Sequence, residues 1–276
     1  MEEKTLLKIN NLTTSFRIKD EYYAAVDDVS IELNRNEILA IVGESGCGKS
    51  TLATAVIGLH NPINTKSEGE IIYKGKNLLS LNEAGYNEIR GNEIGMIFQD
   101  PLSALNPLMR VEEQIEEGLI YHTKLTPSER KERVHELLQQ VGIPNYKRVA
   151  RQFPHELSGG MRQRAALIRT LAVRPELLLL DEPFSALDYQ TRLFVSDEIG
   201  SIIKNEGITA ILVTHDISEA VSMSGRVVVM SSRPASIKSI HKIVLTCDKN
   251  TPMGRRSAPE FREYFNQIWR ELDIHV

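Results

Sequence analysis

Between residues 38 and 56 a short apolar run, Ile38-Leu39-Ala40-Ile41-Val42, breaks into a glycine-rich loop. It resumes as the helix-compatible Leu52-Ala53-Thr54-Ala55-Val56. The loop reads Gly43-Glu44-Ser45-Gly46-Cys47-Gly48-Lys49-Ser50-Thr51. Its G-x-x-x-x-G-K-S spacing, set between a strand pattern and a helix pattern, is a phosphate-binding signature. Glycines let successive backbone N–H groups converge on an anion, because positive φ costs them little. The helix that follows turns its positive dipole end toward the same point. Lys49 adds a charge for the β- and γ-phosphates, and the Ser50 hydroxyl is a ligand for Mg²⁺. This order of elements points to a nucleoside triphosphate.

The rest of the chain must supply a sheet and helices around that loop. At 276 residues it is long enough to bury a substantial core in one domain with a subdomain. A hydrophobic fraction of 41% and a charged fraction of 25% are those of an ordinary globular protein. The net charge of −4 argues against a dominant nucleic-acid surface. No apolar run approaches the roughly 20 residues of a membrane span. Met1-Glu2-Glu3-Lys4 lacks the apolar core of a signal peptide. Cys47 and Cys247 make no disulfide framework, and the expectation is a cytosolic chain. Cys47 reads equally as a thiol activated by Lys49 and the helix start, or as a small buried filler.

Leu6-Leu7-Lys8-Ile9, Ala25-Val26 and Val29-Ser30-Ile31-Glu32-Leu33 read as short strands, with a turn at Asn34-Arg35-Asn36-Glu37. Phe16, Tyr22 and Tyr23 precede the loop; each is equally a purine-stacking aromatic or an ordinary surface or core one. Glu70–Lys76 and Ile94–Gln99 are further strands, the second stopped by Asp100-Pro101. From 102 to about 170 the pattern is helical. Thr126-Pro127-Ser128-Glu129 is a capping box with proline at the first position. Val134, Leu137, Leu138 and Val141 continue that helix until Gly142-Ile143-Pro144 stops it.

Ser158 is placed to cap a helix that begins with Gly159-Gly160, a second anion-binding element. Leu177-Leu178-Leu179-Leu180 is apolar at every position, as in a parallel strand buried on both faces, and it ends in Asp181-Glu182. Such strands present ligand groups at their carboxyl ends. Ala210-Ile211-Leu212-Val213-Thr214 repeats the device with His215 at its tip, and Val227–Met230 is the next strand. Phosphoryl transfer to water needs a phosphate cradle, a metal site, a water-orienting group and positive charge. Ser50 and Asp181 suit the metal, Glu182 the water, and Gln99 and His215 the γ-phosphate. Taken alone, His215 would be structural; beside the loop and the paired acids it reads as catalytic.

Near the end of the chain, Ser257-Ala258-Pro259-Glu260 reads as a capping box. Phe261, Tyr264, Phe265, Ile268, Trp269 and Leu272 follow on one helical face. That face is expected to dock, either on its own body, the favoured choice, or on a partner.

Gly43–Thr51, the LSGGMRQ segment at 157–163, Leu177–Glu182, Ser185-Ala186-Leu187-Asp188 and His215 together resemble the ATP-binding cassette (ABC) family over residues 5–230. The resemblance implies an α/β P-loop NTPase with a mostly parallel core sheet, an N-terminal antiparallel β subdomain and a helical insertion. It sets an ATPase domain over 1–232, with the helical part at about 102–170, and a C-terminal extension over 233–276. It implies ATP and Mg²⁺, with Gly43, Glu44, Ser45, Gly46, Cys47, Gly48, Lys49, Ser50 and Thr51 around the phosphates. Ser50, Gln99 and Asp181 would be at the metal. Ser158, Gly159 and Gly160 would serve nucleotide held by a second cassette, in a homo- or heterodimer, and Asp188 would be a further nucleotide-binding residue. Phe16 is the aromatic it favours for adenine, ahead of Tyr22 or Tyr23.

The implied partners are two transmembrane permease subunits and, indirectly, an extracytoplasmic binding protein, at the cytoplasmic face of the membrane, with no nucleic acid expected. Ala25–Ser30 and Phe98–Pro107 are similar to peptide and nickel importers. Leu187–Arg192, Asp216–Pro234 and the tail resemble nitrate, sulfonate and taurine importers. Peptide-type cassettes usually end in a cysteine-rich extension, and here that region has only Cys247. A soluble cassette of translation or DNA repair is the alternative, disfavoured by a single cassette with a compact insertion. A P-loop kinase would have no use for LSGGM.

Overall fold

Two long strands, β1 (Thr5–Ile18) and β2 (Glu21–Asn34), pair antiparallel at the start of the chain. The computed structural model describes residues 4–99 and 105–272; Asp100-Pro101 and the first residues of the expected helical region lie outside them. Val29, Ile31 and Leu33 of β2 are buried while Ser30 and Glu32 face out, the period-2 pattern of a half-buried strand. In β1 the alternation is broken by register shifts around Ile9, Leu12 and Thr14. β1 also pairs antiparallel with β4 (Thr65–Tyr73), and β4 with the short β5 (Lys76–Asn77), giving the order β2-β1-β4-β5.

The chain divides into two compact units, Met1–Arg90 with Thr209–Val276, and Gly91–Ile208. The first holds the antiparallel sheet and a second set of strands. There β3 (Ile38–Val42) lies between β8 (Thr209–Thr214) and β9 (Arg226–Met230), parallel to both. With a neighbour on each side, Leu39–Val42 are fully buried, which is why this strand is apolar throughout. β10 (Ile237–Lys242) adds antiparallel to β9. The helices here are α1 (Lys49–Val56), α2 (Glu83–Ile89), α8 (Ile217–Met223), α9 (Pro252–Arg256) and α10 (Phe261–Glu271).

The second unit carries a parallel pair, β6 (Ile94–Ile97) and β7 (Leu177–Asp181), with α3 (Val111–His122), α4 (Pro127–Gln140), α5 (Tyr146–Val149), α6 (Gly159–Leu171) and α7 (Tyr189–Asn205). The Thr126 box forms as read: its hydroxyl accepts from Glu129 N, and the Glu129 carboxylate accepts from Thr126 N at 2.7 Å. Arg133 on α4 is buried and pairs with Glu206 at 2.6 Å, closing α4 on the end of α7.

The capping box expected at Ser257 is absent. α10 starts at Phe261 instead, because both halves of the box are engaged elsewhere. Ser257 N donates to Gly254 O as the end of α9, and the Glu260 carboxylate accepts from Thr246 N at 3.0 Å. The apolar face does dock within its own unit, against α8, with Ile268 and Leu272 buried, while Glu271 bonds to β10. Trp269 is 40% exposed and stacks on Phe265, so burial of that face is partial.

Candidate functional site

The phosphate loop begins where β3 ends. Gly48 sits at φ 131°, and a Cβ there would stand 2.5 Å from the Ala25 carbonyl oxygen, so no other residue fits. Lys49 is buried, and its ammonium donates to the carbonyls of Gly43 (2.8 Å) and Glu44 (2.7 Å). Its charge is thereby folded into the concavity of the loop. α1 starts with no side-chain cap and no acidic residue in its first turn, the arrangement that suits an anion. Glu44, Ser45, Gly46 and Ser50 are exposed, Thr51 is half-buried, and Cys47 is buried beneath the loop. The residues present therefore fit a polyphosphate.

Register places His215 at the same edge. Val42 of β3 pairs with Thr214 of β8, so Gly43 and His215 each follow directly from neighbouring parallel strands. His215 is exposed. Phe16 is half-buried on β1, its ring edge-on to His60 at 5.3 Å. His60 Nε2 lies 3.0 Å from the Thr51 carbonyl and 3.1 Å from the Thr54 hydroxyl, which links Phe16 to the helix of the phosphate loop. Tyr22 and Tyr23 are exposed, and the Tyr23 hydroxyl donates to Glu21.

In the second unit Asp181 closes the wholly buried β7, and Glu182 follows at φ 46°. A left-handed glutamate costs about 1–3 kcal/mol and marks strain of the kind kept at working sites. Ile97 pairs with Leu180, which brings the strand tips together: the Gln99 amide donates to the Glu182 carboxylate at 3.3 Å. Ser185 Oγ donates to Glu182 O at 3.0 Å and fixes the turn. Ser158 caps α6, accepting from Met161 N at 3.4 Å, and with Gly159 it is exposed. A Cβ on Gly159 would meet nothing within 4 Å. Asp188 caps α7, and hydrogen bonds from the Thr191 side chain and backbone hold its carboxyl below the ordinary range.

Two features escape sequence reading. Buried Gln163 donates to Pro183 O at 3.3 Å, tying α6 to the turn after β7. Buried Glu219 accepts from the Thr214 hydroxyl at 2.8 Å. The second had a trace, since Asp216-Ile217-Ser218-Glu219 is a cap followed by an acid three residues on. Among the described residues no group of three or more His, Cys, Asp or Glu side chains could hold a metal by itself. None of the described helices is long and apolar enough to cross a membrane.

A strand-loop-helix phosphate cradle, a capped glycine helix start and an acid-tipped parallel strand define a P-loop ATPase of the cassette type. The sequence profile of ABC transporters matches residues 26–185. The oligopeptide transport ATP-binding protein OppD of Lactococcus lactis subsp. cremoris (strain SK11) is 44% identical over 230 residues, 83% of this chain and 68% of that protein. AppD of Bacillus subtilis (strain 168), also an oligopeptide transport ATP-binding protein, is 40% identical over 227 residues, 82% of this chain and 69% of that one. The dimeric structure of the bacterial ABC transporter cassette MJ0796 superposes with TM-score 0.74 at 29% identity, over 86% of this chain and 99% of that one. The chain belongs to the ABC transporter family and is an ATP-hydrolysing cassette of importer type.

Proposed function

We propose that this cassette powers uptake of small peptides. It would do so as one of two cassettes on the cytoplasmic face of two permease subunits, supplied by an extracytoplasmic binding protein. The observation that carries the peptide assignment is the 44% identity with an oligopeptide transport ATP-binding protein over 230 residues. Pairing of two cassettes is supported by the dimeric form of the MJ0796 cassette, also described in a post-hydrolysis state with ADP and phosphate. Under this reading residues 1–232, with the helical part at about 102–170, are the ATPase domain, and 233–276 an extension of it.

The roles follow from the chemistry of each group. Gly43–Thr51 cradle the phosphates through backbone N–H donors, Lys49 neutralises charge developing on the β- and γ-phosphates, and Phe16 stacks on adenine. Ser50, Gln99 and Asp181 would hold Mg²⁺, which would supply positive charge for phosphoryl transfer. Glu182 orients water for in-line attack on the γ-phosphorus and receives its proton as ADP departs. His215 hydrogen-bonds the γ-phosphate. Ser158, Gly159 and Gly160 close over nucleotide on the partner cassette, aided by Asp188. The test is reconstitution of this chain with a permease pair and an extracytoplasmic binding protein of a peptide importer. ATP hydrolysis stimulated by a tri- to pentapeptide supports the proposal; stimulation by a sulfonate or nitrate instead overturns the substrate class.

A further inference from the structure

We propose that Glu219 is a positioning residue for His215, acting through Thr214; this rests on the γ-phosphate role given to His215 above. Thr214 is the last residue of β8, and His215 leaves it exposed. The Thr214 hydroxyl has one proton to give, and it gives it to the Glu219 carboxylate at 2.8 Å. That leaves its lone pairs for the Asp216 N–H, at 3.0 Å. Asp216 Oδ1 in turn accepts from the N–H groups of Ser218 (2.7 Å) and Glu219 (3.2 Å). Thr214, Asp216 and Glu219 thus close a ring of hydrogen bonds through which the chain enters and leaves His215.

Capping does not require this carboxylate, because Asp216 already serves the start of α8. Glu219 is 3% exposed and Thr214 2%, so the carboxylate is out of water and depends on hydrogen bonds such as that from the Thr214 hydroxyl. What the acid adds is direction: it orients the hydroxyl proton, and the hydroxyl then fixes the backbone on the far side of His215. An imidazole held in this way meets the γ-phosphate with little reorganisation. Displacement of such a group by about 1 Å costs up to about a hundredfold in rate.

The experiment compares Glu219→Ala, Glu219→Gln, Thr214→Val and His215→Ala in the full chain. Steady-state kcat and KM for ATP, equilibrium MgATP binding and thermal melting are measured for each. Expected for Glu219→Ala and Thr214→Val is a fall in kcat of about tenfold with KM and MgATP affinity within about twofold of the parent. Glu219→Gln keeps an acceptor oxygen for the Thr214 hydroxyl and restores most of kcat, which bulk packing alone would not explain. The double variant Thr214→Val/Glu219→Ala is no slower than either single one, as for groups acting in series. If Glu219→Ala does not fold, Thr214→Val and Glu219→Gln decide. A folded Thr214→Val with parental kcat, or a Glu219→Gln as slow as Thr214→Val, overturns the proposal while His215→Ala is inactive. An active His215→Ala overturns the underlying role of His215 itself.

Discussion

The Gln99 side-chain amide donates to the Glu182 carboxylate across 3.3 Å, joining the tips of two parallel strands, in the Ile97–Leu180 register, by residues 83 apart in the chain. An acid held by an amide donor, on a backbone strained to φ 46°, has its lone pairs aimed by the fold. Glu182→Gln should keep ATP binding and lower turnover by at least about 10²-fold, the scale of a lost general base. Because unhydrolysed nucleotide would hold two cassettes together, this variant should run as a dimer on gel filtration in MgATP. Near-parental turnover would remove the role assigned to Glu182.

The open space around Gly159 leads to a second prediction. Beyond its chain neighbours and the backbone of its own helix, nothing lies within 4 Å of where its Cβ would be, and alanine suits a first helical turn better than glycine. Gly159→Ala should therefore melt at or above the parental temperature. If a partner's nucleotide occupies that space, the same variant should lose hydrolysis, and Ser158→Arg should lose it altogether with monomer affinity for ATP intact. Mixing Ser158→Arg with Lys49→Ala should restore one working site per heterodimer. Loss of ATP binding by the isolated Ser158→Arg monomer would place the defect within the chain and defeat the idea.

Cys47 is 2% exposed, and its Sγ occupies the space a Cβ on Gly43 would need, 2.9 Å from that position. Its burial favours the filler reading, although the Lys49 ammonium also lies 4.0 Å from Sγ. Maleimide should label half-buried Cys247 first and reach Cys47 only as fast as the loop opens. Cys47→Ser should retain ATP binding and most of its turnover. Labelling of Cys47 as fast as a free thiol would contradict this packing.

What could be read in the sequence was whatever depends on near neighbours. The phosphate loop, the Thr126 box and the all-apolar run at 177–180 declare themselves because their chemistry is complete within a dozen residues. The full length of β1 did not, since register shifts near Ile9, Leu12 and Thr14 break the alternation that marks a strand. The Ser257 box failed for a related reason. Its glutamate found Thr246 N, a partner supplied by the fold of the extension rather than by local spacing. The Gln99–Glu182 contact and the ring around His215 likewise exist only once strands are set in register. Each half was visible as a polar strand tip; the bond was not.

The last prediction concerns Glu271, which fastens α10 to β10. Its carboxylate accepts from the Ser239 hydroxyl, lies 2.9 Å from His241 Nε2, and its backbone oxygen accepts from Lys238 Nζ at 2.6 Å. Burial pushes this carboxyl upward, but the bonds from Ser239 and His241 and the charges of His241 and Lys238 outweigh it and hold it below the ordinary value of 4.5. A carboxyl depressed in the folded state stabilises docking above the unfolded value and ceases to do so as pH falls through the folded one. Acidification below about 4.5 should therefore loosen α10, leaving Lys238 and His241 without their counter-charge. Trp269, the single tryptophan, is 40% exposed and stacked on Phe265 at 5.9 Å, so its emission should start only partly blue-shifted. It should then move toward that of tryptophan in water across the acid transition, ahead of loss of far-ultraviolet circular dichroism. Glu271→Gln, unable to ionise, should remove the acid step and start from the loosened position. A parent whose emission is flat down to global unfolding, or a Glu271→Gln variant with the same acid midpoint, would show that this carboxylate does not fasten the helix.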